Sequence, residues 1–257
     1  MDFAANPNLP DKPVSLVIAD GRISEEAQKR LANLNVSLLR LQPHRSLYTA
    51  VNSHPDMQLH HIGGEMIVYA PGTDPVLLDI LSKYGFKLLK GESVLSPSYP
   101  ADIAYNAARV GNKYFHNLKY TDAIIRRQLE KLDVEPVHVK QGYAKCSILA
   151  VNENSIITSD TGIAKAAEKK GLDVLNIATE RSIKLPELNY GFIGGTGGMI
   201  GKTTLAVNGR IASLDCHDAL LSFLSNKNII IKELTDEIVT DIGSIIPLFH
   251  HTIHNPM

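Results

Sequence analysis

The sequence has few cysteines, little net charge and no long apolar run. Its only cysteines, Cys146 and Cys216, form neither a disulfide framework nor a metal cluster, which indicates a reducing, intracellular setting. The formal charge of −1 provides no overall attraction for nucleic acid or an anionic membrane. No run approaches membrane-spanning length, and residues 1–13 lack the basic-then-apolar pattern of a signal peptide. We therefore expect a cytoplasmic protein with neither nucleic acid nor a membrane as partner.

A recurring unit organises the chain. Residues 149–177 contain two short strand-like runs, a helix start at Asp160 and a final apolar run. Residues 205–234 repeat this order and carry the hairpin signal Asn208-Gly209. Three further copies precede them, and the five units follow one another at spacings of about 40 to 56 residues, which are typical of propellers and arrays. The five predicted helix starts lie near Ser24, Asp74, Thr121, Thr161 and His217.

Five such units predict a closed ring, because an open row would leave sheet edges at both ends. A doubly wound parallel sheet is the alternative, but the hairpin signals argue against wholly parallel strands. We predict a loose N-terminal arm at 1–13, one domain at 14–248 and a mobile tail at 249–257. In the first unit the hairpin partner is shortened or missing. Residues 236–248 are predicted to return to that unit and close the ring.

Three polar segments precede the second, third and fourth units. They read SHPDMQLHHIGG at 53–64, YPADIAYN at 99–106 and GYAKCS at 142–147. Alternation along an extended strand predicts three sets of side chains that each share a face: Asp56, Gln58 and His60; Asp102, Ala104 and Asn106; Tyr143, Lys145 and Ser147. This alternation places Cys146 opposite Lys145, where a free cysteine is typical of core packing.

With these motifs, the chain resembles the pentein superfamily of guanidino-group-modifying enzymes over about residues 14–248. The resemblance implies a five-bladed α/β propeller, five ββαβ units around a pseudo-five-fold axis, with a small-molecule ligand in its central channel. By position, Asp56 stands for the acidic residue that holds the substrate guanidinium, and a carboxylate suits that planar, charge-assisted pairing. Asp102 and Lys145 match an aspartate and a lysine of the family motifs. A purely structural role is the alternative for both aspartates.

Two catalytic groups of that family have no counterpart in the matching positions. Tyr143 stands in place of a histidine acid/base, and a tyrosine, which titrates near 10, is a poor base at neutral pH. The resemblance places the nucleophilic cysteine in or near the glycine-rich segment 191–202, GFIGGTGGMIGK, which has none. That segment also approaches a phosphate-binding loop, but Thr196 replaces a required glycine and no helix is predicted to follow. We therefore predict that the standard cysteine reaction is lost.

These considerations leave three functions open. The first is a protein that binds a guanidino or amino-acid-like ligand without the standard reaction. The second is a hydrolase of C–N bonds with His60 as base, Tyr143 as acid and water as nucleophile. The third is a macromolecular binding module, as in the ribosome anti-association factor of this fold. We predict neither a cofactor nor a metal, although His54, His60 and His61, and His250, His251 and His254, form two groups. The residues predicted to bind the ligand are Asp56, His60, Asp102, Asn106, Tyr143, Lys145, Thr196 and Gly198.

Overall fold

The structure is a computed structural model that describes residues 2–177 and 181–251. Its strands are β1 (Val14–Asp20), β2 (Ser37–Leu41), β3 (Leu59–Gly63), β4 (Met66–Tyr69), β5 (Lys87–Lys90), β6 (Ala108–Val110), β7 (Lys113–His116), β8 (Glu135–His138), β9 (Leu149–Asn152), β10 (Ser155–Thr158), β11 (Asp173–Asn176), β12 (Gly197–Gly201), β13 (Thr204–Val207), β14 (Ile230–Glu233) and β15 (Ile246–His250). Its α-helices are α1 (Glu25–Asn33), α2 (Pro55–Gln58), α3 (Pro75–Lys83), α4 (Ala123–Lys131), α5 (Ala144–Ser147), α6 (Thr161–Lys169) and α7 (His217–Ser225).

The strands form five three-stranded sheets with one repeated pattern. The strand orders are β15-β1-β2, β3-β4-β5, β6-β7-β8, β9-β10-β11 and β12-β13-β14. In every sheet the central strand pairs antiparallel with the first strand and parallel with the last. A nine-residue helix joins each central strand to its parallel neighbour. The predicted mixture of hairpins and helical crossovers is confirmed.

The predicted helix starts lie within two residues of the observed ones. Ser24, Asp74, Asp122 and Asp160 each cap a helix, with a side-chain oxygen that accepts a backbone N–H of the first turn. A left-handed residue follows all five long helices: Asn35, Gly85, Asp133, Gly171 and Asn228. Because glycine, asparagine and aspartate tolerate this conformation best, these residues end the helices.

The core lies between these helices and their sheets. Each of the five long helices has one residue near its C-terminal end whose exposed fraction is at most 1%. These residues are Leu31, Leu81, Leu129, Ala167 and Leu224. Their repeated position shows that the five units pack in the same way. None of the helices in the described ranges is long and apolar enough to cross a bilayer.

The first sheet takes its antiparallel strand from the other end of the chain. β15 pairs with β1, so that Ile18 lies opposite Ile246 and Val17 opposite Pro247. The predicted return of this segment to the first unit is confirmed. β15 extends to His250, which is buried, so Phe249 and His250 belong to the sheet. His254 lies outside the described residues.

The N-terminal arm packs against the body, whereas the sequence had predicted a loose segment. Phe3 lies with its ring 5.0 Å from that of Phe86 and 4.9 Å from that of Phe249. Ala4 is fully buried and its N–H donates to the Leu248 carbonyl oxygen. Apolar contact and backbone pairing together hold the arm in place.

Gly198 lies where two backbones approach closely. A Cβ atom at this position would lie 2.2 Å from the Ile245 carbonyl oxygen. We expect Gly198→Ala to lower the free energy of unfolding by about 2 to 3 kcal/mol, because the backbone has to move apart. Gly162→Ala is the control, since its Cβ would meet only the Asp160 side chain, at 3.1 Å. Urea unfolding of both variants measures the difference, and equal stabilities would contradict the expectation.

Candidate functional site

Buried polar side chains from four of the five units meet in one cluster, which we call the polar hub. Every member has an exposed fraction of at most 7%. The members are Asp20, His54, Asp56, Asn106, Lys145, Cys146, Asp241 and Ser244. Burial of an unpaired polar group is costly. The hydrogen bonds among these side chains therefore show which groups are already paired and which remain available to a ligand.

Asp56 is the centre of the hub. Its Oδ2 accepts hydrogen bonds from Ser244 Oγ at 3.0 Å and from Cys146 Sγ at 3.2 Å. Among the described residues, no group donates to its Oδ1. Burial raises the pKa of Asp56 to about 6, although His54 and Lys145 lower it in part. The carboxyl group therefore exchanges its proton close to neutral pH.

Lys145 is the hub's ammonium group. Its Nζ donates to Ser244 Oγ at 2.7 Å and lies 3.5 Å from the Gly194 carbonyl oxygen. Burial lowers the pKa of Lys145, and the nearby Asp56 carboxylate opposes that shift. The three side chains thus form a chain of hydrogen bonds from Lys145 through Ser244 to Asp56.

Asn106 connects the second, third and fourth units at the hub. Its Oδ1 accepts the backbone N–H groups of Lys145 and Cys146 at 2.8 and 3.2 Å. Its Nδ2 donates to the Asp56 carbonyl oxygen at 3.1 Å. These bonds hold α2 and α5, each a single turn, against one another.

The predicted strand alternation is wrong around Cys146. Residues 144–147 form the helical turn α5, and Asp56 lies in the turn α2, so neither segment is extended there. The third unit's first strand likewise begins at Ala108, and residues 102–107 do not belong to it. Cys146 is buried as predicted, but its thiol faces Asp56. Burial, together with Asp56 and Asp241, raises the pKa of Cys146 well above its usual value, so the thiol is neutral.

Asp102 and Tyr143 form a second cluster. Tyr143 OH donates to Asp102 Oδ2 at 2.5 Å, and its ring lies 5.8 Å from Tyr99 and 6.1 Å from Phe192. Burial raises the pKa of Asp102, and burial and Asp102 raise that of Tyr143. Asp102 therefore pairs with a phenol, while Asp56 pairs with Ser244 and Cys146.

The remaining predicted residues have separate positions. Thr196 Oγ1 donates to the Ile193 carbonyl oxygen at 2.8 Å and so closes a short turn. Gly198 provides the close backbone contact described above. His60 lines a cavity of about 20 Å³ together with Asp56 and Lys145, and Pro7 of the arm also lines it. Such a volume holds about one water molecule, so the hub is closed in this conformation.

Ser244, Asp241, His54 and Asp20 were missed as site residues. Asp241 and Ser244 lie on either side of the pair Ile242-Gly243 in the segment that precedes β15, and polar side chains within a mostly apolar segment were the available signal. His54 was considered only as a metal ligand. Within residues 2–177 and 181–251, no group of three or more His, Cys, Asp or Glu side chains could hold a metal ion.

Comparison with known families gives one assignment. The model of a family of unknown function, DUF6873, matches residues 18–246. The chain therefore belongs to this family. No curated protein matches.

Solved structures provide the fold class. SxtG, an amidinotransferase from Microseira wollei in the saxitoxin biosynthetic pathway, is 13% identical over 90% of this chain and 92% of its own, with a TM-score of 0.54. Inosamine-phosphate amidinotransferase STRB1 from Streptomyces griseus is 12% identical over 89% and 90%, with a TM-score of 0.55. DDAH from Pseudomonas aeruginosa, a mutant in complex with citrulline, is 11% identical over 86% and 93%, with a TM-score of 0.51. The predicted pentein resemblance is thus confirmed for the mixed α/β fold.

Proposed function

We propose that residues 14–248 form a single closed ring of five α/β units with the polar hub on its axis. The five sheets share one strand pattern, and the pairing of β15 with β1 joins the last segment to the first unit. Four units contribute side chains to the hub, and the segment that enters the fifth contributes the Gly194 carbonyl oxygen. These observations support a propeller, since a common centre for five equivalent units is the geometry of a ring.

The proposed ligand is a small cation with a guanidino or amino-acid-like group. The hub contains the carboxyl groups of Asp20, Asp56 and Asp241 and the amine of Lys145, and Asp20 also pairs with Arg22. The observation that carries the proposal is the buried Asp56 Oδ1, which no described residue contacts as a hydrogen-bond donor. A guanidinium N–H would satisfy this oxygen with a strong, charge-assisted bond.

The standard cysteine-dependent reaction is not part of this function. The hub thiol of Cys146 is neutral, and a thiolate is the nucleophilic form of cysteine. His60 is also a poor general base, because burial lowers its pKa to about 3. These properties argue against the arrangement with His60 as base, Tyr143 as acid and water as nucleophile.

Ligand binding to the Asp56→Asn variant tests the proposal. We expect arginine, agmatine or a methylated arginine to bind the wild type, and the variant to bind about 10- to 100-fold more weakly, as for the loss of a charged hydrogen bond. Isothermal titration calorimetry measures both affinities. Uncharged citrulline is the ligand control, and Asp79→Asn is the matched variant because Asp79 is exposed. Equal affinity for citrulline and arginine, or binding of RNA or ribosomal subunits alone, would contradict the proposed ligand.

A further inference from the structure

Ser244 occupies the middle of the hydrogen-bonded chain in the hub. Its Oγ accepts from Lys145 Nζ at 2.7 Å and has two acceptors for its own proton, Asp56 Oδ2 at 3.0 Å and the Gly194 carbonyl oxygen at 2.9 Å. A hydroxyl held between an ammonium group and a carboxylate can lose its proton to the carboxylate while the ammonium stabilises the resulting charge. This is the arrangement of an activated nucleophile and its base.

The backbone at Ser244 is held in an unusual conformation. Its φ angle is 77°, which lies in the left-handed region of the backbone. Residues other than glycine, asparagine and aspartate rarely adopt this conformation. The Ser244 N–H donates to the Gly195 carbonyl oxygen at 3.0 Å and the Ile245 N–H to that of Gly197 at 3.2 Å, which keeps the segment in place. Strained residues of this kind cluster at functional sites.

We propose that Ser244 is a nucleophile that attacks the central carbon of a guanidinium or amidinium group. This inference rests on the proposed function for its substrate class. Lys145 and Asp56 are its catalytic partners, the first as the cation beside Oγ and the second as the base. Asp56 Oδ1 remains available to hold the substrate.

The reaction balances with water as the only co-reactant. Ser244 Oγ forms a bond to the guanidinium carbon as its proton passes to Asp56 Oδ2. The leaving nitrogen takes that proton as its bond to carbon breaks, and an amine or ammonia departs. Water then attacks the same carbon, one of its protons returns through Asp56 to Ser244 Oγ, and the Oγ–C bond breaks. A guanidinium gives a urea and an amine or ammonia, an amidinium gives an amide in place of the urea, and no group is oxidised or reduced.

The site must open for a substrate to enter. The cavity beside Asp56 and Lys145 has a volume of only about 20 Å³ and is also lined by Pro7 and Asn8 of the N-terminal arm. Asn8 is held by a single side-chain bond to the Arg109 carbonyl oxygen. The arm also bonds to the sheet edges, from the Ala4 N–H to Leu248 and from the Gly64 N–H to Ala4, so substrate entry requires these bonds to open together with that of Asn8.

Serine labelling and turnover test the proposal on the full chain. A fluorophosphonate is incubated with the protein and the modified residue is located by peptide mass spectrometry. Release of ureas and amines is assayed with arginine, agmatine and methylated arginines. We expect a label on Ser244, and at least a 1000-fold loss of turnover in Ser244→Gly, a variant chosen because glycine tolerates the positive φ.

The matched control is Ser147→Ala. Ser147 is also buried, but its Oγ has no hydrogen-bond partner within the described part of the chain. We expect labelling and turnover within twofold of the wild type. A label on Cys146 in place of Ser244 would overturn the assignment of the nucleophile.

The outcomes separate this inference from the proposed ligand. Binding of arginine or agmatine with neither label nor product overturns the nucleophile and leaves the binding function intact. If Ser244 is labelled but the protein binds no guanidino compound, the assignment of the nucleophile stands and the substrate class is overturned. Turnover that persists in Ser244→Gly overturns the nucleophile directly.

The rate of labelling provides a pH test. Asp56 accepts the proton only when ionised, and burial raises its pKa to about 6. The groups that face it are His54, Lys145, Cys146, Asp241 and Ser244. We expect the rate to rise as the pH passes through 6 and the rise to vanish in Asp56→Asn. A wild-type rate that is the same at pH 5 and pH 7 would contradict the role of Asp56.

Discussion

We expect the protein to lose on the order of 5 kcal/mol of stability when the pH falls from 7 to 4.5. Three buried histidines cause this loss. Burial lowers the pKa of His60 to about 3, and those of His61 and His116 to about 4, from 6.5. Below pH 6.5 these imidazoles are protonated in the unfolded chain but remain neutral in the folded state. The free energy of unfolding is therefore largest above pH 6.5 and decreases as the pH falls.

Asp56 acts in the opposite direction, but its effect is smaller. Its folded pKa of about 6 lies above the ordinary value of 3.8, so the folded state binds the proton more tightly and gains about 2 kcal/mol over the same interval. The three histidines together lower the free energy of unfolding by about 7 kcal/mol over this interval. This term is larger than that of Asp56, so the protein is less stable at pH 4.5 than at pH 7.

Urea unfolding at pH 7 and pH 4.5, followed by circular dichroism, measures this change. His60→Gln should make the dependence shallower by about 2.5 kcal/mol, because one proton uptake is removed. His251→Gln is the control, since His251 is exposed. A wild-type stability that is equal at both pH values would contradict the burial of neutral histidines.

The second large effect is expected from Lys145→Met. Lys145 is joined to Asp56 through Ser244 and lowers the pKa of that carboxyl group. Removal of a buried compensating charge costs about 3 to 5 kcal/mol, because the other charge remains buried. At pH 8 the unpaired charge is the Asp56 carboxylate. At pH 5 that group is protonated, since burial raises its pKa to about 6. The loss of unfolding free energy in Lys145→Met should therefore be clearly smaller at pH 5 than at pH 8.

A double-mutant cycle provides the control for this prediction. Adding Asp56→Asn to Lys145→Met should recover part of the stability at pH 8, because the unpaired carboxylate is gone. Lys83→Met should cost less than about 1 kcal/mol, since Lys83 is 75% exposed and its ion pair is screened by solvent. Equal losses for Lys145→Met at both pH values would show that the lysine does not compensate Asp56.

Local signals in the sequence were sufficient for the elements of the repeat. Ser24, Asp74 and Asp160 cap helices at the predicted places because a cap needs only the following three residues. Asn208-Gly209 shows the limit of such signals. It indicated a tight hairpin, but the residues that follow it form a short turn before α7, and the actual hairpin joins β12 to β13.

The polar hub could not be predicted in the same way. Strand alternation predicts that Cys146 faces the core, because it assumes an extended segment at residues 142–147. The segment turns because Asn106, forty residues earlier, accepts its backbone N–H groups. Contacts over such distances have no periodic signature in the sequence.

The sequence by itself determined the five repeated units, their helix boundaries, the return of the C-terminal segment and the resemblance to guanidino-modifying enzymes. These follow from apolar periodicity, capping residues and short motifs, which act within a few residues of one another. Only the tertiary structure decided that Lys145, Ser244 and Asp56 form one hydrogen-bonded chain, and that Asp102 instead pairs with Tyr143. The physical reason is that partners from separate units are selected by packing and desolvation in the folded chain.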